Sequence, residues 1–342
     1  SIKKQKRVLF EVILIDDCPN NPLNRNVIKK KYSFVRYILN KNNLGLSKSL
    51  NKGINLASGK YVLILHDDCV LVGNDWLKRI IQRLEEKDVG AIIGEHVIEY
   101  EKLSLINKVF SFVYGLGIDI KDSTKKGFEE VKHLGDKCDA FKKSYLLDLG
   151  AFDESFKTAG EDTELSSRIL KDNKKILINH DAKVIHLFSE TERQSSILTH
   201  MKKAIQLNQN GVNAFLKTGS KYKLDMFFVW LLLAISFFGF VPYLALSVVA
   251  APFALPLALF SIIFVIVTNY FVEFGFVYIP LIYLFGKSFL KAKSAFINKK
   301  EFNLLPLLVL IFSMIWDLLA GLAWAYGIIC YIFGKLKSFF RI

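Results

Sequence analysis

The stretch LASGKYVLILHDDC, Leu56 to Cys69, decides how the first half of the chain reads. Its apolar core YVLIL is continuous rather than alternating, the pattern of a strand covered on both faces. Ser58-Gly59 closes the segment before it, and the run ends in His66-Asp67-Asp68. Working outward, EVILID (Glu11 to Asp16), VRYIL (Val35 to Leu39) and AIIG (Ala91 to Gly94) are runs of the same kind. Between them lie stretches of helical spacing, Leu46 to Ala57 and Asn74 to Glu86, where Asn74 can cap and Asp75 can favour the first turn. KILINH (Lys175 to His180) and KVIH (Lys183 to His186) predict two further short strands around a tight turn. Strand-helix alternation of this kind predicts an α/β fold with a mostly parallel, Rossmann-like sheet, whose ligands bind beyond the carboxyl ends of the strands.

Acids gather at those ends. EVILID finishes in Asp16-Asp17, YVLIL runs into Asp67-Asp68, and Glu161-Asp162 opens the helical stretch EDTELSSRIL. Paired carboxylates on one sheet edge repel unless a cation joins them, and Mg²⁺ or Mn²⁺ takes carboxylate oxygens while keeping positions open for phosphates. Each pair also has a plain structural reading. Asp16 and Asp17 suit a turn, Asp67 and Asp68 a strand-end turn, and Glu161 and Asp162 a first helical turn favoured by the macrodipole. Arg168 is placed to pair with Glu164 at i,i+4.

Composition divides the chain. Over 342 residues, 52% are hydrophobic and 23% charged, with a net charge of +14. The 47 residues from Met226 to Val272 hold no Asp, Glu, Lys or Arg. Together these exclude collagen, a disordered tail and a purely soluble enzyme. Up to Leu224 there are 38 basic and 28 acidic residues (+10), and beyond it 8 and 4 (+4), so the excess suits an anionic substrate or membrane surface. The four cysteines show no CxxC spacing, which predicts free thiols in a reducing compartment and no zinc. The lysine-rich segment 287–301 and Lys217 to Lys223 both predict cytoplasmic loops, with three or four transmembrane helices in all and the ionisable Glu273 and Asp317 at or inside them. The expected organisation is a globular domain over 1–195, an amphipathic interfacial helix and basic linker over 196–224, and a transmembrane region over 225–342.

Several of these segments, in this order, resemble the inverting glycosyltransferases of family 2, which have the GT-A fold. SIKKQKRVLFEVILIDDCPNN resembles that family's first helix end and second strand. LNKNNLGLSKSLNKGINLASGKYVLILHDDC resembles the approach to its DxD metal motif, LLDLGAFDESFKTAGEDTELSSRIL the segment ending in its catalytic acids, and KVIHLFSE the strand whose His nears the metal or diphosphate. The resemblance covers roughly Ser1 to Lys217. It implies Asp16, Asp17, Asn43, Gly45, Asn51 and Asp67 as nucleotide-sugar contacts, with Asp16 at the nucleobase. It implies Asp68 and His186 as ligands of Mg²⁺ or Mn²⁺, and Asp162 as base with Glu161 beside it.

Two departures matter. His66 stands where the DxD motif begins, which makes Asp68 the safer ligand, and the Gln-x-x-Arg-Trp motif of processive members is absent, which favours a single transfer. The family's first strand precedes Ser1, so the chain is expected to be N-terminally incomplete. The resemblance and the apolar half together predict a multi-pass enzyme of the plasma membrane with its catalytic domain in the cytoplasm. Its expected partners are a nucleotide-sugar donor, a polyprenyl-phosphate or lipid-linked acceptor and membrane lipids, with self-association left open and nucleic acid excluded. A silent glycosyltransferase-like scaffold is the alternative from another class, and a capped transporter is weaker, because the spans are few and unrepeated.

Overall fold

The computed structural model describes residues 1–114, 118–135, 137–157, 159–187, 279–299 and 305–339, with scattered positions between 197 and 219. Contacts group the chain into two units, one holding most of the first 195 residues and the other most of the rest.

The first unit is α/β. Strands β1 (Val12–Asp16) and β2 (Val35–Leu39) pair in parallel as a small sheet of their own, with Asp16 opposite Leu39. Between them runs helix α1 (Arg25–Lys31), which Asn24 caps by accepting from Asn26 N at 3.0 Å and Val27 N at 3.2 Å. The larger sheet is built on β3 (Tyr61–Leu65), β8 (Cys138–Lys142), β5 (Val89–Ile98), β9 (Lys175–His186) and β4 (Cys69–Leu71), in that spatial order. Two short strands attach to it, β6 (Ile118–Asp119) to β5 and β7 (Phe128–Val131) to β9.

This sheet is mixed, which corrects the expectation of a mostly parallel one. Strand β8 runs antiparallel to both β3 and β5, and β4 and β7 run antiparallel to β9, while β5 pairs with β9 in parallel. The apolar runs had one meaning only, burial on both faces, and a central antiparallel strand covered by helices has the same composition. A second correction concerns Lys175–His186, which is one strand rather than two around a turn. The interruption there is a bulge: Gly94 pairs with Asn179 but Glu95 with Lys183. A Cβ at Gly94 would stand 2.8 Å from the Trp76 ring and 3.0 Å from Ala182 O, so glycine lets both approach.

Alternation along the strands splits the core in two. Val62, Ile64, Ala91, Ile93, Phe141 and Ile176 face one side, where helices α2 (Leu46–Leu56), α5 (Lys143–Asp148) and α6 (Glu161–Lys171) contribute Ile54, Leu146, Leu165 and Ile169. Ile92, Cys138, Ala140, Leu177 and Val184 face the other, under Trp76, Leu77 and Ile80 of α3 (Trp76–Ile80). Burying each of the valine, leucine, isoleucine and phenylalanine side chains among them contributes on the order of 1.5–3 kcal/mol. Helix α3 is shorter than the stretch 74–86 predicts. Asp75 precedes it and pairs with Arg79 Nε at 3.0 Å, and the residues after Ile80 form turns.

In the second unit, α4 (Leu105–Tyr114), α7 (Ile279–Lys299) and α8 (Leu305–Phe339) are helical. Leu284 of α7 packs with Ala320, Met314 and Leu318 of α8, and Phe110 stacks on His200 with ring centres 3.9 Å apart. One expectation is corrected here. Lys287 to Lys299 continues a helix instead of forming a loop, and the stretch after residue 304, which the sequence leaves open between one and two crossings, is one helix. The lysine content that suggested a loop is compatible with a helix, since lysine is a good helix former. Within α8, Leu305–Ala323 is long and apolar enough to cross a membrane by length and composition, and it is the one such helix among the described residues. Asp317 lies buried in α8, with Lys291 Nζ at 4.0 Å. The apolar stretch Met226–Val272, Glu273 and most of the expected interfacial helix lie outside the described residues.

Candidate active site

The antiparallel pairing of β4 with the end of β9 sets Cys69 opposite His186. That register brings the neighbouring Asp68 against the same histidine, with His186 Nε2 3.0 Å from Asp68 Oδ2. The two residues the sequence nominated as metal ligands therefore meet. Lys137 Nζ donates to the same Oδ2 at 2.9 Å, and Cys69 Sγ donates to Oδ1 at 3.3 Å. Burial works against charge on Asp68, yet the His186 hydrogen bond and the Lys137 ammonium hold its carboxyl far below the usual range. Asp67 is exposed.

Two more imidazoles join this group. Burial and the Lys137 charge hold His66 below the ordinary histidine range, and burial with Lys137 and His186 takes His96 down to about 4. The Nε2 atoms of both are buried without a hydrogen-bond partner. Lys137 and His96 were missed in the sequence. A polar pair, Glu95-His96, inside a buried apolar strand was the signal for the second, whereas Lys137 had no local signal at all. An oxygen from Asp68 and a nitrogen from His186 suit a divalent ion that completes its shell with water and phosphate. Among the described residues no third His, Cys, Asp or Glu completes a metal-holding group with them.

The acids after β1 form a second cluster. Asp16 Oδ1 accepts from Cys18 N at 3.0 Å, and Oδ2 accepts from Leu23 N at 2.9 Å and Tyr37 Oη at 2.8 Å. Asp17 takes Asn40 Nδ2 at 2.8 Å, Leu44 N at 2.9 Å and Gly45 N at 2.8 Å, while Asn43 Nδ2 donates to its carbonyl at 2.9 Å. For both acids burial opposes the charge, but these donors outweigh it and hold the carboxyls below their ordinary value. Asp17 and Asn43 thus bind the loop before α2 to the end of β1. Gly45 opens α2 with φ 84° and ψ 167°.

Asn51 sits elsewhere. Its Nδ2 donates to Phe152 O at 2.8 Å and its Oδ1 accepts from Phe152 N at 3.0 Å, so its amide clamps backbone instead of facing the strand ends. Ser47 Oγ reaches Phe156 O at 2.6 Å and Leu46 N reaches Lys157 O at 2.8 Å, which extends that clamp along the chain leading to α6.

Helix α6 begins at Gly160 (φ 96°) with Glu161 buried and Asp162 partly buried. Burial pushes the Asp162 carboxyl above its ordinary value, offset in part by the Thr163 amide and by His133. Arg168 forks onto Glu164 at 2.6–3.0 Å, as their spacing predicts, and also donates to Leu149 O and Ala151 O. The loop between β7 and β8 links the acids to the basic cluster. Leu134 N donates to Ser166 Oγ at 2.9 Å, Ser166 donates to Asp162 O at 2.6 Å, and three residues beyond Leu134 is Lys137.

The profile of the glycosyl transferase family 2 matches residues 1–150. This stretch is a family 2 glycosyltransferase domain. Asp68 and Lys137 lie within the matched stretch, while Asp162 and His186 follow it in the continuous α/β unit. The chain is 27% identical over 173 residues to an uncharacterized glycosyltransferase of Haemophilus influenzae, covering 50% of this chain and 56% of that one. It is 25% identical over 141 residues to a dolichyl-phosphate beta-glucosyltransferase of Dictyostelium discoideum, covering 38% and 42%. A mannosyltransferase from Pyrobaculum calidifontis, solved with GDP-Man and Mn²⁺, superposes with a TM-score of 0.44 at 16% identity, covering 63% of this chain and 57% of that one. The chain spans about half the length of the curated relatives it matches.

Proposed function

We propose that the chain is an inverting glycosyltransferase, held at a membrane by its C-terminal region, that moves one sugar from a nucleotide-sugar donor to a polyprenyl phosphate or lipid-linked glycan. Residues 1–195 are the catalytic domain in this reading and 225–342 the membrane part. The observation that carries it is the meeting of Asp68 and His186 across the strand ends of a family 2 domain. The similarity to the dolichyl-phosphate beta-glucosyltransferase of Dictyostelium supports a lipid-phosphate acceptor. The candidate membrane helix at Leu305–Ala323 supports anchoring.

In this reading the acceptor oxygen attacks the anomeric carbon from the face opposite the diphosphate. A new C–O bond forms as the C–O bond to the diphosphate breaks, and the leaving group departs with that electron pair. A hydroxyl acceptor gives its proton to the Asp162 carboxylate. Burial raises the proton affinity of Asp162 and so suits it to that task. Glu161, buried beside it, is the second acid of the pair. Asp68 and His186 would hold Mg²⁺ or Mn²⁺, which supplies neutralisation of the leaving diphosphate. Asp16, Asp17, Asn43 and Gly45 shape the wall where the nucleotide lies, and Asp67 is exposed beside the metal ligands.

The test is release of nucleoside diphosphate from a panel of nucleotide sugars with Mn²⁺ or Mg²⁺, followed by mass spectrometry of lipid products from membranes. Release from one donor, lost in Asp162→Asn, is the expected result. Donor binding without turnover, in the full-length protein with its membranes, would overturn the enzymatic reading in favour of a silent scaffold.

A further inference from the structure

We propose that Lys137 is a built-in cation occupying the metal position beside Asp68, so that a divalent ion binds by displacing an ammonium instead of entering a vacant site. This rests on Asp68 being the metal ligand of the reading above.

Three observations carry it. First, Lys137 Nζ and His186 Nε2 both reach the same oxygen, Asp68 Oδ2, at 2.9 and 3.0 Å, while Oδ1 accepts from the weak thiol donor of Cys69 at 3.3 Å. The ammonium thus stands where a hard cation would coordinate. Second, the pair is largely shielded, with side-chain exposures of 17% for Lys137 and 24% for Asp68, so water screens it less than a surface ion pair. Third, the lysine's backbone is fixed on both sides. His66 N donates to Lys137 O at 3.1 Å, β8 begins at the next residue between β3 and β5, and Gly135 N is tied to Asp139 Oδ1 at 2.9 Å.

A dication and an ammonium on one carboxylate oxygen repel each other. The side chain of Lys137 must therefore swing aside before the ion coordinates, and the apparent metal affinity is reduced by the small fraction of molecules in which it has done so. A displaced ammonium is a donor suited to the anionic diphosphate that enters with the metal. The arrangement makes metal and donor bind better together than either does alone, and it keeps the carboxylate paired between turnovers.

The test uses the full chain in detergent and Mn²⁺ alone, with free Mn²⁺ counted by electron paramagnetic resonance. The expected result is a Kd at least tenfold lower in Lys137→Met and Lys137→Gln than in wild type, with Lys137→Arg no tighter than wild type. Equal affinities in wild type and the neutral variants would overturn the inference. If Asp68→Asn also binds like wild type, the assignment of Asp68 as ligand fails instead, so the two failures are told apart. Should the neutral variants not fold, acylation of wild-type lysines read by mass spectrometry serves in their place. Saturating Mn²⁺ should raise labelling of Lys137 severalfold, and unchanged labelling overturns the inference.

Discussion

His186 Nε2 lies 3.0 Å from Asp68 Oδ2 although 118 residues separate them in sequence. The backbone ladder between β4 and β9 imposes this meeting, so the carboxylate can be changed without dismantling the framework that presents it. Asp68→Asn should lower kcat by ~10²–10³, the typical cost of removing one group that stabilises developing charge. The circular dichroism spectrum should be unchanged. Steady-state kinetics beside that spectrum check it, and wild-type turnover in the variant would remove Asp68 from the mechanism.

At the start of α6 the Asp162 carbonyl accepts from Ser166 Oγ at 2.6 Å, and its carboxylate Oδ1 lies 3.5 Å from Thr163 Oγ1. Asp162→Asn is expected to reduce kcat by ~10²–10⁴, the usual range for a general base. KM for the donor should stay near the wild-type value. A rise in KM at constant kcat would mark Asp162 as a binding residue instead.

Asn51 clamps both backbone groups of Phe152 from within α2. Asn51→Ala leaves a buried N–H and C=O without their partners and should cost about 1–3 kcal/mol of stability. Urea denaturation measures this directly. Nucleotide affinity of the folded variant should match wild type, because the amide does not face the strand ends.

Gly45 has φ 84° and ψ 167°, and a Cβ there would lie 3.0 Å from Lys157 O. Gly45→Ala is therefore opposed both by backbone strain of about 1–3 kcal/mol and by contact with a fixed carbonyl. Thermal unfolding should show the loss, and donor binding should weaken as well, since Gly45 N helps hold Asp17.

His96 titrates at about 4 in the folded protein, against an ordinary value of 6.5, chiefly because it is buried. The folded state thus favours the neutral ring, and as pH falls below 6.5 the unfolded chain takes the proton first. Stability should decline between pH 6.5 and about 4, by roughly 3 kcal/mol at most, and this contribution should level off below that window. Urea midpoints across pH should show the slope, and His96→Gln should flatten it.

Much of this was legible because it is local. The runs at Glu11 to Asp16, Val35 to Leu39 and Tyr61 to Leu65 are strands within a residue of expectation, and Leu46–Leu56 is the expected helix. Strand direction was not legible, since burial on both faces leaves the same composition in parallel and antiparallel strands. Nor was the single strand Lys175–His186, because the polar Asp181 reads as a turn, whereas His180 to Ala182 bulge between the β9 residues paired with adjacent Gly94 and Glu95.

The acids Asp16, Asp68 and Asp162 stand at the ends of regular elements, so their positions follow from hydrophobic periodicity and its interruption, which any single sequence carries. Which groups those acids face is decided elsewhere in the chain. Lys137 and His96 reach the Asp68 group because β8 inserts between β3 and β5, and Asn51 turns to Phe152 because α2 packs along the chain before α6. Electrostatic and hydrogen-bond partners depend on distances of a few ångströms between segments far apart in sequence, and only the pairing of strands and the packing of helices sets those distances.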